Sequence, residues 1–379
     1  MWYFTPEEKA LRDVCLDFAN KELAPVAEKH DTEETFNLEA FKKMGELGIL
    51  GITADPEYGG AGLGATAATI VMEEFGKVCP GTTLSYLAHS MLCVNNIEAN
   101  ASAEQKEKYL PKLVTGEHIG AMAISEPGHG SDAMGMQCKA KKDGDHYIIN
   151  GNKMWITNAQ YADIVYLYTR TGEARKDLTT FIVETKNTPG FSVSKEIHKM
   201  GMRSSPTGEL SFENARVPAL NRVGEEGDST YHMMRNLEIE RLTISGISLG
   251  IAQACVDQCI KYANEREQFG KPLAEFQMIQ KMVAEMASET EMMRHFLYNL
   301  CYLWDKGDVS NTAAAMAKLQ LPKMATKIAL DAIQLHGGYG YSREFPVERL
   351  MRDNKLNEIG AGTNEVMIMI IAKNLLSQR

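Results

Sequence analysis

Glu240 is a charge out of register. With residues 231–262 set on a helix, positions 237, 240, 244, 247 and 251 share one stripe, filled by Leu237, Glu240, Ile244, Ile247 and Ile251. A carboxylate among aliphatic side chains is held toward its neutral form, so its pKa rises and it becomes a candidate general base. The plainer account is a buried Glu paired with a Lys or Arg from another segment. On the same helix Glu238 and Arg241 fall on a polar stripe with Ser245 and Ser248.

Three glycine-bearing stretches could bring backbone close to a ligand. In Ile124-Ser125-Glu126-Pro127-Gly128-His129-Gly130-Ser131-Asp132, small and hydroxyl residues surround two glycines, so backbone N–H groups could approach an extended polar molecule. A tight turn joining two regions is the simpler alternative. In Gln334-Leu335-His336-Gly337-Gly338-Tyr339-Gly340-Tyr341 three glycines interrupt a helical region. There each costs about 1 kcal/mol relative to Ala, which suggests a close backbone approach or else a plain interhelix loop. In Ile359-Gly360-Ala361-Gly362-Thr363-Asn364-Glu365, three positions with almost no side chain leave room for a ligand, or Thr363 simply caps the helix that follows.

Other chemistries lack their motifs. The sequence has no G-x-x-x-x-G-K-[ST] and no H-E-x-x-H, and its nine histidines are scattered without zinc spacing. Forty basic and fifty acidic side chains leave a net charge of −10, which argues against a chain that coats nucleic acid or an anionic membrane. The apolar run Val366 to Ala372 is seven residues long, whereas a membrane span needs about 20, so no membrane insertion is expected. Seven cysteines without a C-x-x-C pair fit a reduced compartment, with Cys255 and Cys259 as apolar fillers one helical turn apart. The first thirty residues carry acids throughout and show no signal or transit peptide, so a cytoplasmic location is expected, or the mitochondrial matrix for a processed eukaryotic chain.

The elements that must position these residues change texture twice along the 379 residues, a length that suits two or three domains. Residues 1–118 read as helical. Thr5 stands as an N-cap before Pro6, helical stretches cover 37–48, 66–78, 83–97 and 103–113, and 54–66 is a glycine-rich loop. Residues 119–228 read as an antiparallel β domain, with strands at 146–149, 154–157, 164–168, 180–184 and 210–212. Asp143-Gly144 and Asn150-Gly151 both carry the hairpin signal. Residues 229–379 are helical again, broken near 270–272, 306–308 and 336–341, as in a bundle.

These residues carry a resemblance along essentially the whole chain. The runs AISEPGHGSDAMG (123–135) and QLHGGYGYSREFPVERLMRD (334–353) resemble the two signatures of the acyl-CoA dehydrogenase family. Trp155-Ile156-Thr157, the run GMRSSPT (201–207) and Arg266…Phe269-Gly270…Phe276-Gln277 follow in family order. The resemblance implies an α+β multidomain chain with an N-terminal helical domain (1–118), a middle β domain (119–228) and a C-terminal four-helix bundle (229–379). It implies a homotetramer, one FAD per subunit, an acyl-CoA substrate oxidised to the trans-2-enoyl-CoA, and an electron-transferring flavoprotein as acceptor. No metal is implied.

Carried over residue by residue, Met122, Ile124, Ser125, Gly130 and Ser131 would line the flavin, and Ser131 would also touch CoA. Trp155, Ile156 and Thr157 would wall the isoalloxazine. Arg266, Phe269, Gln277, Gln334, Leu335, Gly337 and Gly338 would reach the adenosine and pyrophosphate of a neighbouring subunit's FAD, and Thr363, Asn364 and Glu365 would bind the same cofactor. Tyr231, Glu238, Arg241, Ala361 and Gly362 would contact the acyl-CoA.

One departure selects a subgroup. Most members hold their base in a Glu-Gly-Thr run before the last helix, where this chain has Ala361-Gly362-Thr363. The isovaleryl-CoA dehydrogenase-like subgroup takes its base from an earlier acidic-x-Glu-Arg run, which Glu238-Ile239-Glu240-Arg241 resembles. The matching base is Glu240, the residue the helical stripe singles out independently. Ala361 would keep a backbone N–H that polarises the thioester carbonyl, and the vacated volume suits a short branched or substituted acyl group. Alternatives are a dehydrogenase of another substituted acyl-CoA (2-methylbutyryl, benzylsuccinyl, cyclic carboxyl), an enoyl-CoA reductase, or a flavin oxidase or monooxygenase. His129 stands where the family usually has a small residue.

Overall fold

The computed structural model describes residues 4–377. Thr5 opens the helical region as expected. Its hydroxyl accepts the Glu8 N–H at 3.2 Å, the Glu8 carboxylate accepts the Thr5 N–H at 2.8 Å, and Pro6 begins α1 (Pro6–Phe18). Then come α2 (Ala27–Glu33) and α3 (Leu38–Glu46), the glycine-rich loop, α4 (Ala65–Gly76), α5 (Pro80–Leu87), α6 (Asn95–Asn100) and α7 (Ala103–Val114). A π-helical segment, Ala88–Val94, joins α5 to α6, so the expected helix at 83–97 is longer at both ends and widened in its middle. Every residue of α4 is buried.

The middle region is one sheet built from β1 (Gly120–Ala123), β2 (Lys139–Asp143), β3 (His146–Thr157), β4 (Ile164–Arg170), β5 (Leu178–Glu184), β6 (Phe191–Glu196), β7 (Thr207–Pro218) and β8 (Arg222–Val223). Its path runs β6-β7-β3-β2-β4-β5-β8, with β1 joined to β4. Three expectations need correction. The sheet is mixed, because β1 pairs with β4 in parallel. Asn150-Gly151 is no hairpin: both residues lie inside β3, which runs unbroken through the two strands expected at 146–149 and 154–157. Gly151 instead sits at a bulge at φ +143°, where an added Cβ would lie 2.7 Å from the Cα of Cys138. The Asp143-Gly144 turn does close a hairpin, with Asp143 paired to His146.

The C-terminal region holds α8 (Ser229–Glu265), a small hairpin of β9 (Glu267–Gln268) and β10 (Lys271–Pro272), α9 (Gln277–Asp305), α10 (Asn311–His336), α11 (Gly338–Tyr341), α12 (Val347–Asn357) and α13 (Asn364–Leu376). α8, α9 and α10 pack on one another, and α12 and α13 pack on α10. The 37-residue α8 is also clamped from the N-terminal side by α4. Most of its polar stripe is covered: Arg241, Ser245 and Ser248 are buried. Ser248 Oγ donates to Asn354 Oδ1 at 2.9 Å and accepts from Asn357 Nδ2 at 3.0 Å, so this stripe is paired with α12. All seven cysteines are free and buried, as fillers would be.

Glycine sets how close α4 and α8 come. A Cβ on Gly250 would lie 2.3 Å from the carbonyl oxygen of Glu73, and one on Gly76 would lie 3.1 Å from the Cα of Ile247. Gly250→Ala therefore forces the helices apart despite alanine's better helix propensity. Urea unfolding should show a loss of about 1–3 kcal/mol through a lower midpoint at unchanged slope.

Candidate active site

Glu240 occupies the fourth turn of α8 and is 6 % exposed. Among the described residues its carboxylate accepts no hydrogen bond and has no ion-pair partner within 4 Å. The simple buried-pair alternative is thus not what the structure shows. Burial pushes its pKa up to about 7, against the pull of Arg241 and Lys318. Arg241 is itself spoken for: its Nη1 donates to Asn311 Oδ1 at 3.0 Å, at the start of α10.

Lys318 is a functional candidate that the sequence reading missed. It lies on α10 with 0 % exposure, and its Nζ donates to the carbonyls of Asn357 at 2.6 Å and Gly362 at 3.0 Å. Burial pushes its pKa down to about 8, while the charge of Glu240 pulls it up. The signal was present in the pattern. Ala314, Lys318, Leu321 and Ala325 form an apolar stripe with one charge on it, the arrangement that exposes Glu240.

The two carbonyls bound by Lys318 flank the turn that holds Ala361. Ala361 adopts φ +55° and Gly362 φ +90°. A left-handed alanine costs about 1–2 kcal/mol, so this turn needs external support. The Ala361 N–H makes no hydrogen bond among the described residues. Thr363 caps α13 by accepting the Val366 N–H at 3.3 Å, which is the bland role foreseen for it. Asn364 is half-buried and its Oδ1 has no partner, while Glu365 is exposed on the first turn. Gly362 is half-buried beside Met367, whose Cε would lie 2.7 Å from an added Cβ.

The 124–132 loop is pinned from beneath. The buried carboxylate of Glu126 accepts from the N–H groups of Gln137 at 2.6 Å and Cys138 at 2.9 Å and from Lys153 Nζ at 2.9 Å. Lys153, fully buried, also donates to the Ile124 carbonyl at 2.9 Å. Burial alone would raise the pKa of Glu126, but Lys153 and the N–H donors hold it below the ordinary value. Glu126 and His129 exchange backbone hydrogen bonds, so the tight turn is real. Above it, Gly128 and Gly130 have open space where a Cβ would stand. The N–H groups of Gly128, Gly130 and Ser131 have no partner among the described residues. That is a cradle of free donors for a polar ligand.

Beside the cradle, Met122 and Ser125 are half-buried, Ile124 is buried and Ser131 is exposed. The Ser125 carbonyl accepts the Met154 N–H at 2.9 Å, tying the loop to β3. A register shift between Lys153 and Ile156 puts Trp155 at φ +64° and leaves its indole 56 % exposed, with Ile156 buried and Thr157 half-buried. Tyr231 is exposed and Glu238 half-buried on α8, on the side of the helix away from Glu240. Tyr168 on β4 is a second residue not foreseen. Its buried hydroxyl has no partner, and it faces Glu240 electrostatically.

The remaining cofactor candidates lie elsewhere. Arg266 follows the end of α8, 26 residues beyond Glu240, which is about 39 Å along a helix. Its guanidinium lies 5.6 Å from the ring of Tyr339, and Tyr262 stacks on His336 at 4.3 Å. Phe269, at φ +54°, is 94 % exposed. Gln277, Gln334, Gly337 and Gly338 are exposed, and Leu335 is buried behind them. Within one chain this group does not share a site with Glu240.

Glu240 carries a stability consequence with a definite sign. Its folded pKa, about 7, stands above the ordinary 4.5. Below pH 4.5 both states are protonated and burial costs nothing for ionisation. Between 4.5 and 7 the unfolded chain ionises first, so the folded state loses stability relative to it, and the loss is complete above about 7. Glu240→Gln should therefore stabilise the protein by up to about 3 kcal/mol at pH 8 and by little at pH 4.5, read as urea midpoints at the two pH values.

Comparison with known proteins agrees with this geometry. Residues 5–117, 121–215 and 230–376 match the models for the acyl-CoA dehydrogenase N-terminal, middle and C-terminal domains. The mitochondrial isovaleryl-CoA dehydrogenase of Pongo abelii is 45% identical over 373 residues, covering 97% of this chain and 88% of that protein. The mitochondrial 2-methylacyl-CoA dehydrogenase of Solanum tuberosum is 41% identical over 98% of this chain and 91% of its own. The solved butyryl-CoA dehydrogenase of Megasphaera elsdenii superposes with a TM-score of 0.95 at 36% identity, covering 98% of this chain and 99% of that one. With all three domains matched in order around a buried base candidate, the chain belongs to the acyl-CoA dehydrogenase family of oxidoreductases.

Proposed function

We propose that the protein is an FAD-dependent acyl-CoA dehydrogenase acting on short branched-chain acyl-CoA, with Glu240 as the base. One observation carries the reading: a carboxylate buried in α8 without a hydrogen-bond or ion-pair partner among the described residues, held with a pKa near 7. A base so placed is half ionised near neutral pH and has no internal partner to leave when it takes a proton. Glu240 would remove the α-proton of the thioester. The free N–H of Ala361 would bind the carbonyl oxygen as negative charge develops there, which the weak acidity of the α-carbon requires. FAD, when bound, supplies the acceptor for the hydride from the β-carbon, and the product is the trans-2-enoyl-CoA.

The chain's donors suit that cofactor. The open cradle at Gly128, Gly130 and Ser131 and the outward indole of Trp155 would flank the flavin, with Thr157 beside it. Arg266, Phe269, Gln277 and the 334–338 segment stand about a helix length away. They would serve the adenosine and pyrophosphate of another subunit's FAD, which makes a homotetramer part of the proposal. The exposed apolar side chains of α13, Ile368, Met369, Leu375 and Leu376, provide surface for such assembly. An electron-transferring flavoprotein would reoxidise the enzyme.

The substrate class rests on two supports. Ala361 leaves the volume that a Glu side chain would occupy in most members of the family. The relatives named above act, by their names, on isovaleryl-CoA and 2-methylacyl-CoA. The second name keeps a 2-methyl-branched acyl-CoA as the alternative.

Anaerobic titration of the FAD-loaded protein with a panel of acyl-CoAs should bleach the flavin, most readily with isovaleryl-CoA. If no saturated acyl-CoA bleaches it, the proposal is wrong. The rate of bleaching should rise with pH through a midpoint near 7 as Glu240 ionises. Glu240→Gln should retain FAD and ligand binding while slowing reduction at least about 1,000-fold. Sedimentation should give the mass of four chains.

A further inference from the structure

We infer that Lys318 is a positioning residue of the proton-abstraction site, whose ammonium ties both ends of the Ala361 turn to α10 and faces Glu240 across the α8–α10 interface. The inference rests on the reading of Glu240 as the base.

The geometry is specific. Lys318 is fully buried, and no carboxylate lies within 4 Å of its Nζ among the described residues. Both of its hydrogen bonds go to backbone carbonyls, at 2.6 Å to Asn357 and 3.0 Å to Gly362. Asn357 is the last residue of α12, and Gly362 lies immediately before Thr363, the cap of α13. One cation therefore spans the turn, with Ala361 between its two anchor points. Ala361 is intrinsically unfavourable at φ +55°, whereas Gly362 accepts its positive φ, and the turn is closed by the Asn364 N–H to Glu358 carbonyl bond at 3.0 Å with Lys318 as its anchor to α10. A change at Lys318 would move the Ala361 N–H, the group assigned to the thioester carbonyl.

The same ammonium acts on Glu240 through space. The charged and titratable groups facing the pair are Arg241 and Glu238 on α8, Glu358 in the turn, and Tyr168 on β4, itself near Arg235. Arg241 is committed to Asn311. Lys318 is the other cation that favours ionised Glu240. Lys318 thus couples two requirements of carbon-acid chemistry, a base that can ionise and a donor fixed where the enolate oxygen forms.

Acetoacetyl-CoA bound to the FAD-loaded protein provides a test that needs no turnover. Its β-keto thioester forms an enolate, read by absorbance, which needs the polarised carbonyl but no hydride transfer. Lys318→Gln keeps an N–H donor group, the amide NH2, and removes the charge, whereas Lys318→Met removes both. In the Gln variant the pH midpoint of enolate formation should rise by about one unit with FAD content retained. In the Met variant the enolate should also fall at least about tenfold at neutral pH as the turn loosens. If the Met variant does not fold, the Gln variant decides. An unchanged midpoint in folded Lys318→Gln overturns the inference. Failure of the underlying reading looks different: wild-type protein and Glu240→Gln would then reduce with acyl-CoA at equal rates, whatever the Lys318 variants do.

Discussion

The constraint on which this structure turns is the desolvation of one carboxylate. Water would stabilise ionised Glu240 by far more than any single protein contact returns, so keeping it buried without a partner is unfavourable at neutral pH. The fold sustains it because α8 is held on several sides. α4 lies so close that Gly76 and Gly250 are needed at the crossing, α10 covers another side, and the serine stripe is locked to Asn354 and Asn357 of α12. A helix held by so many neighbours can carry an unfavourable group in its middle, and it can hold that group in one place.

The desolvation is tempered. Full burial of a carboxylate can raise its pKa by 3–5 units, yet Glu240 stops at about 7. The difference comes from Arg241 and Lys318, neither of which bonds to it. A direct ion pair would hold Glu240 ionised and engaged, and would lower its basicity. Complete isolation would keep it protonated and idle. Two cations bound to other acceptors give the intermediate case, in which the carboxylate is basic and free to move a proton.

What the amino-acid pattern revealed depended on whether the relevant partner was local. Glu240 was visible because the stripe that makes it anomalous lies on its own helix. Thr5, Thr363 and the Asp143-Gly144 turn were visible for the same reason, since capping and two-residue turns are settled within a few residues. The serine stripe of α8 was legible as polar, but its partners were not, because they lie more than one hundred positions away on α12. Asn150-Gly151 was misread because a bulge and a hairpin both use a glycine at positive φ, and only the pairing of β3 with β7 distinguishes them. Lys318 shows a third case, where the local signal existed but a lysine in an alanine-rich helix passes for a surface residue.

The proposed base, Glu240, and the proposed carbonyl donor, the Ala361 N–H, sit on two separate segments of the C-terminal region, α8 and the turn before α13. Such separation has a structural consequence. When a Glu occupies the turn itself, as in most of the family, one short segment would supply both base and donor, and their spacing is set by local geometry. With the proposed base on α8, spacing would depend on how the turn is anchored relative to the α8–α10 pair. A left-handed alanine adds little rigidity, and the N-cap at Thr363 and the Asn364 N–H to Glu358 carbonyl bond at 3.0 Å close the turn on itself without tying it to α8. The tie toward α8 comes through α10, the helix that packs against α8, α12 and α13. Lys318 is the buried α10 side chain that grips the turn on both sides of Ala361. If Glu240 is the base, as proposed, part of the demand for precision shifts from the turn's own sequence to a buried cation on a third element.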